Sequence, residues 1–291
     1  MAMSILQKLL DRKLAWFGLS LIAIMLLVSL FAPQIAPHDP LAVDLMKKLQ
    51  PPGATFPLGT DHLGRCILSR LLYGGQASLS ISLIVVMFTT SISLLVGLVA
   101  GYVGGKVDSC LMRLCDVFLA FPSLILSLAI VGTLGGGIGN LIFALIATHW
   151  AGYARIVRSR VLSVKESNFV QAAIVSGTGA LPIMIRHILP YTLIELTVLT
   201  TLDISHVVLH IAGLSFLGLG IQPPTPEWGA MINDGREYFR RQPELMLYPG
   251  LMLFLTTLAF NLVGDVLRDV LDPRMEQQMQ VKTLKTKLEN G

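Results

Sequence analysis

An all-α membrane protein with six transmembrane helices is the fold class this sequence predicts, and three observations carry the prediction. Only 14% of its 291 residues are charged, against roughly 25% in average globular usage, while apolar types make up 53%. Mean hydropathy is +0.69. The charges also lie between long uncharged stretches, of which residues 71–105 are one. A soluble chain of this size could not cover itself with so few charges, so much of its surface must meet lipid. Disorder, collagen and a secreted disulfide scaffold are excluded by the same composition.

About 20 apolar helical residues cross the hydrocarbon core. The first span is residues 14–32, behind a cytoplasmic N-terminus at 1–13 that holds Lys8, Arg12 and Lys13. This start also looks like a signal peptide. Its uncharged run exceeds an h-region of roughly 7 to 15 residues, so an uncleaved anchor is expected. Residues 33–76 form an external loop, and residues 77–270 hold the other five spans. The second is 77–101. Between Asp116 and Arg155 lies an uncharged stretch too long for one crossing, interrupted by Gly135, Gly136, Gly137, Ile138, Gly139 and Asn140. That run predicts a tight turn, joining a third span at 111–133 to a fourth at 141–154 as a helical hairpin. The fifth span, 191–217, carries polar groups. The sixth, 248–264, ends at Asp265, with Pro249 in its first turn, where a missing N–H is tolerated. Residues 271–291 form a mixed-charge cytoplasmic tail, with a frayed helix over 275–291.

Orientation follows from Lys and Arg, which are in excess on cytoplasmic segments. With both termini inside, the outer segments hold only Lys47, Lys48, Arg65, Arg70, Arg236, Arg240 and Arg241 of the 22 basic residues. The reading is a multi-pass membrane protein with an even number of spans and both termini cytoplasmic. The net charge of +4 is dispersed rather than gathered on one face, so no nucleic-acid partner is expected. Cys66, Cys110 and Cys115 have no metal-finger spacing, and neither a disulfide nor structural zinc is expected.

The loop at 163–190 is too polar at its ends to cross and too apolar to be a free linker. Residues 166–176 predict a short helix, with Ser163 or Ser167 as cap. Gly177 and Gly179 close it, Pro182 opens a second short helix, and Pro190 starts span five. A protruding helix, glycine break and helix suit docking into a partner's groove. On composition alone an inert interfacial loop is an equal reading.

Gln171, Ala172, Ala173 and Gly177, followed by His187, Leu189 and Pro190, resemble the EAA loop of ABC importer permeases. Gln171 stands where that pattern has Glu and His187 where it has Ile; the spacing is intact. The segment LGTDHLGRCILSR at 58–70 resembles the external segment of dipeptide, oligopeptide and nickel permeases. Phe121–Pro122, Trp150 with Tyr153, Ala154 and Arg155, and the runs GLSFLGLG and QPPTPEWG match the same family. The resemblance implies a type I ABC importer permease fold in a bacterial inner membrane. It also implies a homologous second permease subunit, two cytoplasmic ATPases that use ATP and Mg, and an external solute-binding protein. Alternating access is the implied mechanism, with Gln171, Ala172, Ala173, Gly177, His187, Leu189 and Pro190 as ATPase-coupling residues.

No cofactor site is expected in the chain itself. A P-loop around Gly105 and Lys106 would need Gly at 100 and Ser or Thr at 107, where Ala100 and Val107 stand. The chain is therefore read as a conduit and not as an enzyme.

Ionisable residues inside a membrane helix must face protein or water. Asp203, His206 and His210 recur at i, i+3 and i+7 in span five, on nearly one stripe. Two imidazoles and a carboxylate could serve a borderline-soft cation such as Ni(II), Asp203 as ligand or as orienting group. On spacing alone, hydrogen bonds that tie neighbouring helices are the stronger reading. The histidine pattern, including His149 beside Trp150, resembles the nickel branch, which puts a metal or metal chelate first among cargoes and a peptide second. His149 is expected too far toward the cytoplasmic end to join the same shell. Arg236, Arg240 and Arg241 are candidate contacts for the binding protein or lipid headgroups. Met231 and Met246 are read as packing, Trp228, Tyr238 and Tyr248 as anchors at the outer interface, and His38 and His62 as solvated loop residues.

Overall fold

The structure, a computed structural model, describes residues 12–271; residues 1–11 and 272–291, with Lys8 and the expected tail helix, lie outside the described residues. Among the described residues the regular elements are helices, besides one isolated bridge between Thr60 and Cys66. In chain order the principal ones are α1 (Lys13–Leu30), α2 (Ile67–Val103), α3 (Gly105–Leu119), α4 (Ser123–Leu134), α5 (Ile138–Lys165) and α6 (Asn168–Val175). They are followed by α7 (Ala180–Phe216), α8 (Trp228–Gly235) and α9 (Glu244–Leu271).

Helices α1, α2, α7 and α9 are long and apolar enough to cross a bilayer, and α3 with α4 makes a fifth candidate if the bent pair is one span. Six is therefore more than the helices show by length and composition. The shortfall lies in α5, whose second half carries Arg155, Arg158, Arg160 and Lys165.

Several expected boundaries are corrected. The third span is not one helix: α3 and α4 meet at 82°. The break falls at Pro122, which lacks an N–H and pushes the residue before it out of the helical region. Helix α3 is amphipathic, and its Asp108 and Asp116 pair with Arg158 and Arg155 of α5. The loop expected over 33–76 ends at Cys66, because α2 starts at Ile67. Pro249 lies beyond the first turn of α9, which opens at Glu244. The turn between spans three and four stands as expected: Asn140 Nδ2 donates to the carbonyls of Leu134 and Gly135 at 3.0 and 2.9 Å, closing α4.

The packing is set by close helix pairs. Helices α2 and α5 run side by side in the same direction, and a Cβ on Gly97 or Gly101 would lie 2.5 or 2.8 Å from Val157 or Val161. Small residues four apart allow this approach. Ser93 Oγ, one turn earlier, donates to Trp150 O at 2.8 Å. Helix α9 fits between α1 and α7, with Gly18 against Val263 and Gly264 against Leu202. Arg12 reaches Asp269 at 3.6 Å, so the first and last described turns lie at one end of the molecule. Lys165 Nζ donates to Tyr102 O at 2.7 Å and joins the ends of α5 and α2 there.

Candidate functional site

The knob between α5 and α7 is built from the glycine outward. Ser167 occupies the N-cap position of α6, but its hydroxyl donates to Val164 O at 2.5 Å rather than capping. At the far end Gly177 has φ +80°. Its N–H bonds Ile174 O at 3.0 Å and that of Thr178 bonds Ala173 O at 3.1 Å, the paired reversal that closes a helix on a left-handed residue. The second short helix is corrected: the chain from Ala180 continues into α7, with a π-helical stretch at Ile183–Ile188. That wider turn lets Pro190 sit in the helix without opposing a normal i−4 carbonyl.

One side of the knob is anchored. Val170, Ile183 and Ile188 are buried with Val157, Val161 and Val164 of α5, Leu98 of α2 and Leu196 of α7. The other side is open. Gln171, Ala172, Gly177 and Pro190 are exposed, and Ala173, His187 and Leu189 are half-buried. Gln171 Nε2 donates to Lys165 O at 2.9 Å, satisfying a carbonyl in the last turn of α5.

Among the polar residues of the spans, His149 is corrected. It lies beside His210, with ring centroids 4.8 Å apart and ring planes at 88°. Helix α5 runs to Lys165 instead of ending at 154, which leaves His149 about 24 Å from its C-terminal end at 1.5 Å per residue. Each imidazole is held by its own helix: His149 Nδ1 contacts Leu145 O at 2.8 Å and His210 Nδ1 contacts His206 O at 2.9 Å. Ser123 Oγ of α4 lies 3.5 Å from His210 Nε2. Ser127 and Thr148 hydroxyls meet at 3.0 Å, continuing the polar seam between α4 and α5.

Asp203 is buried, and its Oδ1 accepts from Tyr153 Oη at 2.6 Å. His206 is exposed on the same helix. The stripe therefore divides: Asp203 ties α7 to α5, while His210 meets His149. Among the described residues, no three His, Cys, Asp or Glu side chains converge as a shell for an ion.

The end far from the knob carries a cluster that sequence reasoning missed. Arg65 Nε and Arg70 Nε reach Asp61 Oδ2 at 2.6 and 3.4 Å, and their Nη2 atoms reach Asp234 at 3.3 and 3.6 Å. Arg65, Arg70 and Asp61 are buried. The spacing of Asp61 and Arg65 by four residues was a readable signal; Asp234, far away in sequence, was not. Three expectations fail here. Trp228 is buried, donating to Leu71 O at 3.0 Å, and the carboxylate of Glu227 caps α8 through Gly229 N and Ala230 N. His38 stacks on Phe56 at 4.6 Å and His62 on Tyr238 at 5.7 Å, so neither is a free loop residue. Lys47 pairs with Asp44 at 2.8 Å and holds that carboxyl below the usual range. Arg236, Arg240 and Arg241 are exposed and make no ion pair among the described residues.

Known proteins supply the frame for these features. Residues 93–277 match the family described as the binding-protein-dependent transport system inner membrane component, and residues 3–52 match the N-terminal TM domain of oligopeptide transport permease C. The nickel transport system permease protein NikC of Escherichia coli K12 is 47% identical over 89% of this chain and 93% of its own length. The dipeptide transport system permease protein DppC of Alkalihalophilus pseudofirmus is 38% identical over 93% and 89%. The probable D,D-dipeptide transport system permease protein DdpC of Escherichia coli K12 is 40% identical over 87% and 85%. This chain belongs to the family of binding-protein-dependent inner membrane transport components and is a multi-pass permease component of an ABC importer.

Proposed function

We propose that the chain forms half of a translocation path for nickel, another transition metal or a metal chelate, and works by alternating access. The observation that carries this reading is the position of the knob. It is continuous with the two helices, α5 and α7, whose facing sides bring His149 and His210 together. A push on the knob moves both histidine-bearing helices as packed bodies, because Val170, Ile183 and Ile188 are locked against them. The 47% identity to a nickel permease supports the cargo. The similarity to dipeptide permeases supports the alternative, a peptide.

The chain hydrolyses no ATP on this reading. ATP and Mg act in two cytoplasmic ATPases that grip the knob, a homologous permease completes the path, and a solute-binding protein meets Arg236, Arg240 and Arg241 outside. Six crossings, with both termini cytoplasmic, fit the course of the chain. Helix α5 leads from the Gly135–Asn140 turn to the knob, in the same direction as α2, and at 28 residues spans about 42 Å.

A pair of substitutions at Gly177 tests the coupling. Apart from its two chain neighbours, a Cβ added there meets no atom of the described residues within 4 Å, so a larger side chain acts on whatever docks. At φ +80° an L-residue carries about 1–2 kcal/mol of backbone strain, which Asn bears better than most. Gly177→Asn is expected to retain ATP-driven uptake into proteoliposomes, and Gly177→Phe to abolish it with insertion intact. Normal uptake by Gly177→Phe would remove the knob from the coupling path.

A further inference from the structure

We infer that His149 and His210 form a two-imidazole waypoint, through their Nε2 atoms, for a borderline-soft divalent cation with at least two exchangeable coordination positions. This rests on the metal reading above and narrows it, since it names the ligating atoms and leaves Asp203 out.

Tautomer comes first. Both Nδ1 atoms lie within hydrogen-bond distance of a main-chain carbonyl four residues earlier. A carbonyl only accepts, so each Nδ1 must carry the proton, and the neutral ring keeps its lone pair on Nε2. This is the arrangement by which a second contact orients a metal-binding imidazole. No protein hydrogen bond among the described residues occupies His149 Nε2, and that of His210 has only Ser123 Oγ, at 3.5 Å.

The separation of the rings is the second point. Two imidazoles bound to one ion at about 2.0–2.1 Å place their centroids roughly 4.5 Å apart at a right-angled ligand pair, and roughly 5.2 Å apart at a tetrahedral one. The observed 4.8 Å lies between these values. A right-angled pair suits octahedral or square-planar Ni(II) and the wider one a tetrahedral ion.

The neighbours then define what kind of site it is. Asp203 is engaged by Tyr153 at 2.6 Å, and no third His, Cys, Asp or Glu closes a shell among the described residues. Two neutral ligands bind without trapping, which is what a transport path requires of an intermediate stop. The hydroxyl of Ser123 stands beside His210 Nε2 and can hold water on a remaining position.

The test uses the complete transporter in proteoliposomes, energised by ATP, with three cargoes: Ni(II), Ni(II) saturated with EDTA, and a dipeptide. His149→Asn and His210→Asn keep a donor near the Nδ1 position for the same carbonyl and delete Nε2. Each is expected to lower Ni(II) uptake by at least the roughly 10-fold that loss of even an outer-shell partner costs. The double variant should be no worse than either single one, and ATPase activity should remain. Replacing both residues with Cys should move the preference from Ni(II) toward Cd(II), a change that a merely structural histidine pair would not produce; this readout decides the matter if the Asn variants fail to assemble. Ni(II) uptake unchanged in the Asn variants, or a Cys pair with no gain in Cd(II) preference, would overturn the waypoint and leave the metal reading standing. Uptake of the dipeptide but of neither form of nickel by the unaltered complex would instead remove the metal reading, and the waypoint with it. Equal uptake of Ni(II)–EDTA and free Ni(II) would overturn the waypoint alone.

Discussion

The two ends of the molecule solve opposite problems. At the end far from the knob, Asp61, Arg65, Arg70 and Asp234 form a set of ion pairs, and Glu227 caps α8 from within. Charge is buried there with partners from the chain itself, although Arg70 Nη1 has no hydrogen-bond partner among the described residues. At the other end the knob leaves Val175, Leu181 and Ile185 exposed, at 88%, 64% and 53%. Both ends expose apolar side chains, Leu45 and Met46 at the first among them, but the first gathers a buried charge cluster inside the chain, whereas the knob is anchored by apolar packing alone on one side and is open on the other. Stability should therefore be concentrated in the first region and coupling in the second.

The largest effect that sharpens this contrast is expected at Arg70. Arg70→Ala takes one of two guanidinium partners from the buried Asp61 and the half-buried Asp234; a buried pair broken outright costs about 3–5 kcal/mol, and with Arg65 still in place the loss should be about 3 kcal/mol. The thermal midpoint of the purified complex should fall sharply. Val175→Ser on the knob should move that midpoint little, by about 0.5 kcal/mol or less, while lowering uptake. Equal losses of stability from the two substitutions would break the contrast. A smaller effect lies between the ends, at Gly97. Its Cβ would stand 2.5 Å from Val157, so Gly97→Ala must force α2 and α5 apart, at about 1–3 kcal/mol. Because the same pair carries the knob's anchor, uptake should fall with the midpoint.

Much of this was legible in the sequence, for definite reasons. Gly177 and the Gly135–Asn140 turn were readable because a helix end or reversal needs local chemistry that a few residues supply. The stripe of Asp203, His206 and His210 was readable from helical spacing. What that stripe touches was not, since it depends on which helix lies opposite. Tyr153 takes the carboxylate and His149 meets His210 only because α5 continues to Lys165 and packs along α7. The bend at Pro122 carried a signal, but the uncharged stretch around it reads equally as one continuous span. The charge cluster far from the knob joins residues about 170 positions apart and leaves no local pattern except the Asp61–Arg65 spacing.

The smallest effect concerns one of the two places where the knob departs from the loop pattern it resembles, the amide at Gln171 in place of a carboxylate. Its Nε2 donates to Lys165 O in the last turn of α5. A Glu side chain, ionised at neutral pH, has no proton to give, and it would set a negative charge against the negative end of the α5 dipole. Gln171→Glu should therefore loosen the hinge between α5 and α6 by about 1 kcal/mol, the usual value of one hydrogen bond. Amide exchange over residues 168–175 in the assembled complex should quicken by about 5-fold, the factor that this energy sets. If exchange is unchanged, or slows, the amide is not what holds the knob to α5. The anchoring would then rest on Val170, Ile183 and Ile188 alone, making the knob's end, like the helix core, a matter of packing rather than of hydrogen bonds.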